Sequence, residues 1–314
     1  MLRTRLILGT IFVAALVALC WLDYHASRPG IYLLPLAVVL SLAGAGELLA
    51  MWRQHGEKPQ PLPWVVYSGT LITVLAAGTP VWLPPSWNGG STIGQLGWLA
   101  IGLAVSLLLA IVGEMRRYDR PGNATTSLAL TCFTVLYVGG LTGLLVQLRL
   151  FGLNVPSNNA RLGMLALVSM IIIVKMSDIG QYTAGRMFGS RKLAPSISPG
   201  KTWEGVLGGM LFAVIGGFVS HWLGQSAFNA GPSVAGRFLP GDAAAIGVAF
   251  LYPLMIAAAG IVGDLAESML KRDAGVKDSS TWLPGFGGVL DLLDSLLGAA
   301  PVAYLFWALH IVGP

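Results

Sequence analysis

The sequence predicts an all-α fold, a polytopic transmembrane helix bundle of about nine spans with the N-terminus inside and the C-terminus outside. Three observations predict it. Charged residues make up only 11% of the 314-residue chain and hydrophobic residues 55%, whereas a soluble domain carries about 25% charged residues. Mean hydropathy is +0.72. Apolar runs close to the ~20 residues that carry a helix across a bilayer recur along the chain, and in lipid only a helix or a closed barrel satisfies the backbone.

The spans follow in order. Leu6–Leu22 comes after Arg3 and Arg5. Its apolar run exceeds the core of a signal peptide, no A-x-A-like site follows it, and Ala18-Leu19-Cys20 lacks the small residue of a lipoprotein box, so it reads as an uncleaved span. Ile31–Trp52, Trp64–Leu83, Gly97–Gly113 and Thr126–Leu148 come next. Leu162–Met176 is short and carries Lys175 near its end. Val206–Leu223, Ala244–Val262 and Val289–Val312 complete the set.

Basic residues set the orientation. With the N-terminus in the cytoplasm, the inside segments hold Arg3, Arg5, Arg53, Lys58, Arg116, Arg117, Arg120, Lys175, Arg186, Arg191, Lys192, Lys201, Lys271, Arg272 and Lys277, which is 15 of the 19. Arg28, Arg149, Arg161 and Arg237 remain outside. That asymmetry is the positive-inside pattern, and it accounts for the net charge of +5 without a nucleic-acid partner. Rings at span ends, such as Trp21/Tyr24, Trp52/Trp64 and Trp82/Trp87, read as the interfacial belt. Gly44-Ala45-Gly46, Gly139-Gly140 and Gly208-Gly209 read as helix-packing seams. Glu47 and Glu114 each follow a glycine near a span end and read as interfacial. Cys20 and Cys132 lie in apolar runs and form neither a disulfide framework nor a metal knuckle. The four histidines form no metal-ligand pair, and no H-E-x-x-H or G-x-S-x-G occurs, which argues against a zinc protease or an α/β-hydrolase.

Acidic residues concentrate in the C-terminal half. Asp178 and Glu204, then Asp264, Glu267, Asp273 and Asp278, then Asp291 and Asp294 account for eight of the 14. Asp264, Asp291 and Asp294 abut apolar runs, where a carboxylate is costly and usually has a partner or a job. Asp264, Glu267, Ser268 and Lys271 stand at i, i+3, i+4 and i+7, one face of a helix continuing the eighth span. Asp291, Asp294 and Ser295 share a face at the start of the ninth. Pro284-Gly285-Phe286-Gly287-Gly288 forces a turn between them, so the faces can approach. The spacing fits two readings equally: a hard-cation site, in which Mg²⁺ takes one or two carboxylates plus substrate phosphates, or a structural ion-pair cluster with Lys271 and Arg272.

The stretch from Asp178 to Gly205 adds Arg186, Arg191, Lys192 and Lys201, which can neutralise phosphates or form an ordinary basic loop. Gly200-Lys201-Thr202 is not a Walker A end, because Pro195 stands where its first glycine belongs and no strand is expected before it. The start of the seventh helix can hold an anion.

At these two stretches the sequence resembles the phosphatidate cytidylyltransferases, or CDP-diacylglycerol synthases. Gly263–Ser295, G-D-L-A-E-S-M-L-K-R-D-A-G-V-K-D-S-S-T-W-L-P-G-F-G-G-V-L-D-L-L-D-S, follows the family signature S-x-x-K-R-x-x-x-x-K-D, P-G-H-G-G, D-R-x-D-S. Ser198–Thr202, S-P-G-K-T, with Glu204 behind it, is the second match. Two positions depart: Phe286 replaces the family histidine and Leu292 its arginine. The resemblance implies residues 1–160 as a transmembrane scaffold and 161–314 as the catalytic region of one integral membrane unit. It implies transfer of the cytidylyl group of CTP to phosphatidate at the cytoplasmic face of the cell (inner) membrane, among membrane lipids and with a homodimer as the candidate assembly. It assigns Asp264, Asp291 and Asp294 to Mg²⁺, alone or with a second cation. Ser268, Lys271, Lys277 and Asp278 join them as catalytic residues. Asp178, Arg186, Ser198, Lys201 and Arg272 are assigned to substrate phosphates. Two other readings share these features: a CTP-dependent relative acting on another lipid phosphate, and a secondary transporter with intramembrane carboxylates.

Overall fold

The computed structural model describes residues 2–54, 60–83, 94–119, 121–153, 160–226, 243–280, 282 and 287–312. Lys58, Trp87, Arg120, Arg237 and the turn residues Pro284, Gly285 and Phe286 lie outside the described residues.

The fold is helical. Helix α1 spans Leu2–Tyr24, α2 Leu33–Arg53, α3 Pro63–Ala77 and the short α4 Thr79–Trp82. Helix α5 spans Gly94–Arg117. Helix α6 (Ala124–Thr134) passes through a π-helical turn at Val135–Gly140 into α7 (Leu141–Arg149). Helix α8 spans Ala160–Phe188, α9 Trp203–Ser226, α10 Ala243–Asp273 and α11 Val289–Ala308. Among the described residues, seven helical stretches are long and apolar enough to cross a membrane, with α6 through α7 counted as one, and Leu8–Tyr24 and Pro63–Ala77 are shorter apolar helices. The expected all-α polytopic bundle is therefore what the chain forms.

Two local expectations change. The sixth span does not stop near Met176; α8 continues to Phe188. Lys175 and Asp178 pair along it at 3.1 Å, which makes the polar turn tolerable, and Gly180 and Ala184 pack against Gly208 of α9. This confirms the Gly208 seam. A strand does precede Pro195: β1 (Lys192–Ala194) pairs antiparallel with β2 (Ser198–Thr202), with Lys192 opposite Thr202 and Ala194 opposite Ser198. Lys201 lies within β2 and not in a strand-to-helix phosphate loop, so the Walker A reading stays excluded. Thr202 then caps α9, its Oγ1 accepting the Gly205 N–H at 3.1 Å.

The chain forms two compact units. The first comprises Met1–Leu150 and Leu270–Leu293, the second Phe151–Met269 and Asp294–Pro314. In the first, Leu48, Val65, Val66, Val74, Val138 and Leu148 are buried. A buried ion pair, Arg149 Nε to Asp23 Oδ2 at 2.7 Å, lies there too. Asp23 also accepts the N–H groups of Gly30, Tyr32 and Leu33, which ties the end of α1 to the start of α2. In the second unit, Met170, Ile173, Tyr252, Ile256, Leu297 and Trp307 are buried, and the Tyr252 hydroxyl accepts from Trp307 Nε1 at 3.3 Å.

Candidate active site

In the second unit, α10 and α11 cross at Gly263 and Gly298. A Cβ at Gly263 would run into the Asp294 carbonyl and the Gly298 backbone, so only glycine permits so close a crossing. Asp264 follows Gly263 directly, and Asp294 lies one turn before Gly298. The crossing therefore brings both carboxylates to one place. Asp294 is 9% exposed and feels the charges of Asp264, Asp178 and Lys175. Asp178, on α8, feels those of Lys175, Asp264 and Lys201. Asp264 holds two partners: Lys201 Nζ is 2.8 Å from its Oδ2, and Ser268 Oγ donates to its Oδ1 at 3.3 Å. Lys201 arrives on β2, so the S-P-G-K-T stretch and the long C-terminal signature meet at this ion pair.

Glu204 anchors the hairpin that delivers Lys201. It accepts the Ser190 hydroxyl at 2.6 Å together with the Ser190 and Arg191 N–H groups.

The first unit holds a second cluster. Lys271 Nζ lies 2.5 Å from Asp291 Oδ1. Asp291 Oδ2 accepts the Gly288 N–H at 2.8 Å, the Ser279 N–H at 2.9 Å and the Ser279 hydroxyl at 2.7 Å. Asp291 thus closes the N-terminal turn of α11 as the third residue of a capping box does. Gly287 has φ +87° and a Cβ there would meet Asp291 Oδ2, so the turn requires glycine. Glu47, read from the sequence as interfacial, is buried and reaches the same turn. Its Oε1 accepts from Ser280 Oγ and the Val289 N–H, and its Oε2 from Ser279 Oγ and the Leu290 N–H, all at 2.9 Å. Glu114, also read as interfacial, is buried against Arg117 (2.7 Å) and Ser127.

Of the remaining sequence candidates, Asp278 borders the Asp291 turn, since a Cβ on Gly287 would lie 3.6 Å from its Cβ. Arg186 is exposed and donates to its neighbour Tyr182 Oη at 2.8 Å. Arg272 is exposed and donates to the Val276 carbonyl at 3.2 Å. Lys277 and Asp278 are exposed in the turn after α10, and Ser198 is partly exposed on β2. Leu292 is partly buried in α11.

The donor set fits a hard cation on its chemistry. Among the described residues no group of three His, Cys, Asp or Glu side chains is arranged to hold a metal ion. Asp264 and Asp294 supply two carboxylates, and Mg²⁺ typically takes only one or two, with substrate phosphates filling the shell. Asp291, in the first unit, is engaged at both oxygens by Lys271, Ser279 and the Gly288 N–H.

The cytidylyltransferase family model matches residues 3–310. The phosphatidate cytidylyltransferase of Haemophilus influenzae is 42% identical over 145 residues, 46% of this chain and 46% of that protein. The one of Pseudomonas aeruginosa is 43% identical over 143 residues, 45% and 47% of the respective chains. These two matches thus span about half the length of the relatives. The phosphatidate cytidylyltransferase of Brucella suis biovar 1 is 29% identical over 317 residues, 98% of this chain and 92% of that one.

Proposed function

Because the chain belongs to the cytidylyltransferase family, we propose that it transfers the cytidylyl group of CTP to phosphatidate, giving CDP-diacylglycerol and pyrophosphate. The observation that carries this reading is the Lys201–Asp264 contact, which joins two separate polar motifs of a membrane chain into one alternating arrangement of cations and carboxylates.

The chemistry asks for such an arrangement. A phosphatidate oxygen attacks the α-phosphorus of CTP. The new P–O bond forms as the bond from the α-phosphorus to the bridging oxygen breaks, and pyrophosphate leaves with that electron pair. The attacking oxygen is already anionic near neutral pH, so no strong base is needed. The protein must instead hold two polyanions in line and neutralise the leaving group. Asp264 and Asp294 would hold Mg²⁺, which would supply charge neutralisation on the triphosphate, and Asp291 holds Lys271. Lys201 and Lys271 are each released from a carboxylate when a phosphate enters, and each then binds that phosphate. Ser268 orients Asp264. Lys277, Asp278, Arg186, Arg272 and Ser198 serve the incoming substrates from exposed positions. The site faces the cytoplasm of the inner membrane, where CTP is available.

Leu292 in place of the family arginine favours a second reading, a different lipid phosphate as acceptor. One assay separates the two: purified full-length protein, radiolabelled CTP, Mg²⁺ and a panel of lipid phosphates. The first reading expects labelled CDP-diacylglycerol from phosphatidate at the highest rate. Preference for an isoprenoid phosphate would establish the second, and no transfer to any acceptor would refute both.

A further inference from the structure

We propose that Glu47 is a positioning residue of this site, holding the phosphate-binding Lys271 in place through Ser279 and Asp291. The inference rests on the cytidylyl-transfer reading, and it assigns a role to an acidic residue of the N-terminal scaffold, outside both polar motifs.

The contacts form a chain. Glu47 Oε2 accepts from Ser279 Oγ at 2.9 Å, the same hydroxyl lies 2.7 Å from Asp291 Oδ2, and Asp291 Oδ1 lies 2.5 Å from Lys271 Nζ. The Ser279 hydroxyl has one proton and faces two carboxylates, so the position of Glu47 governs which way that proton points and how firmly Asp291 is held. The other contacts lock Glu47 itself. Each of its oxygens takes one hydroxyl and one N–H from the first turn of α11, whose N–H groups have no partner within the helix. An anion is favoured at that end of a helix. Two N–H groups, the Ser280 hydroxyl and the shared Ser279 hydroxyl converge on one group, and an amide there would point its own NH₂ at an N–H. The turn is shaped for the carboxylate. A Cβ on Gly288 would overlap Ser279 Oγ and both Glu47 oxygens.

An anchoring role alone would predict lost stability from any change at Glu47. A positioning role predicts a specific pattern, because Ser279 touches Asp291 and Ser280 does not. In the full-length protein, Glu47→Gln and Ser279→Ala should each lower kcat about tenfold or more, with the KM for phosphatidate changed less than about threefold. The double variant should be little worse than either single one, since both break one chain. Ser280→Ala should keep kcat within about threefold. Pyrophosphate, the anion that Lys271 would hold, should bind more weakly to Glu47→Gln and Ser279→Ala than to Ser280→Ala. Equal loss in Ser279→Ala and Ser280→Ala, or additive losses in the double variant, would overturn the proposal. If the unmodified protein transfers no cytidylyl group at all, the reaction reading fails by itself. Pyrophosphate affinity then decides the Glu47 inference: weaker binding in Glu47→Gln and Ser279→Ala supports it, and unchanged binding refutes it.

Discussion

Asp264 holds a lysine and a serine at once, and Asp294 sits buried one helix crossing away. A carboxylate at that depth is retained at a cost, and the cost is offset when a cation is shared. Asp264→Asn and Asp294→Asn keep the shape of each side chain and remove its charge. Transition-state charge stabilisation by a bound metal amounts to several kcal/mol, so each change should cut turnover by about a hundredfold or more. The Mg²⁺ concentration needed for half-maximal rate should rise in both, while the thermal midpoint in detergent stays near that of the unmodified protein. Near-normal rates in both variants would remove the metal from these residues. The sequence made these carboxylates legible because their i, i+3 spacing beside apolar runs is unusual. It left Glu47 illegible. The groups that Glu47 serves lie more than 230 residues further along the chain, at 279–290, and no periodicity links the two ends. The one local sign was a buried charge at a span end, and charges at span ends are ordinary. The Lys201–Asp264 pair lay between these extremes: both motifs were visible, but only the hairpin turns Lys201 onto Asp264.

At the scale of elements, the sequence misplaced the end of α8 and missed the hairpin for related reasons. A hydropathy run ends where polar residues begin, yet α8 continues because Lys175 and Asp178 satisfy each other and small residues bury against α9. The hairpin strands are three and five residues long and rich in Gly, Pro and Ser, which gives no alternating pattern to read. The crossing of α10 and α11 carries a sharper consequence. Gly263 has backbone on the side where a Cβ would point, whereas Gly247, on the same helix, has nothing within 4 Å. Overpacking typically costs about 1–3 kcal/mol. Gly263→Val should therefore lower thermal stability by an amount in that range and spread Asp264 from Asp294, taking activity with it. Gly247→Ala should leave both nearly unchanged, as differential unfolding in detergent and the cytidylyl-transfer assay can check. Equal tolerance at the two positions would mean that the crossing does not set the carboxylate spacing.

At the scale of the whole molecule, the helical bundle was the most legible feature, since only lipid makes sense of so many long apolar runs. Its orientation follows from a different signal, the distribution of Lys and Arg, and it decides whether the site can meet CTP at all. On the 15-to-4 asymmetry we propose that β1, β2 and the turn after α10 face the cytoplasm, and the Ser27–Arg28 segment the other side. Ser196, between the strands, is exposed, and so are Asp273, at the end of α10, and Ser27. Each is a usable reporter if Cys20 and Cys132 are first replaced by serine. In sealed cells an impermeant maleimide should label Ser27→Cys and spare Ser196→Cys and Asp273→Cys until the membrane is opened. The reverse pattern would invert the orientation and put the acidic and lysine clusters where CTP is not supplied, in conflict with the proposed reaction. Labelling of all three in intact cells would break the alternation of spans between Ser27 and Ser196 instead, and the first suspect would then be the shorter apolar helix that lies between them, Pro63–Ala77. Because an odd number of spans separates Ser27 from Ser196 and an even number separates Ser196 from Asp273, the three reporters together test the parity of the path from Ser27 to Asp273.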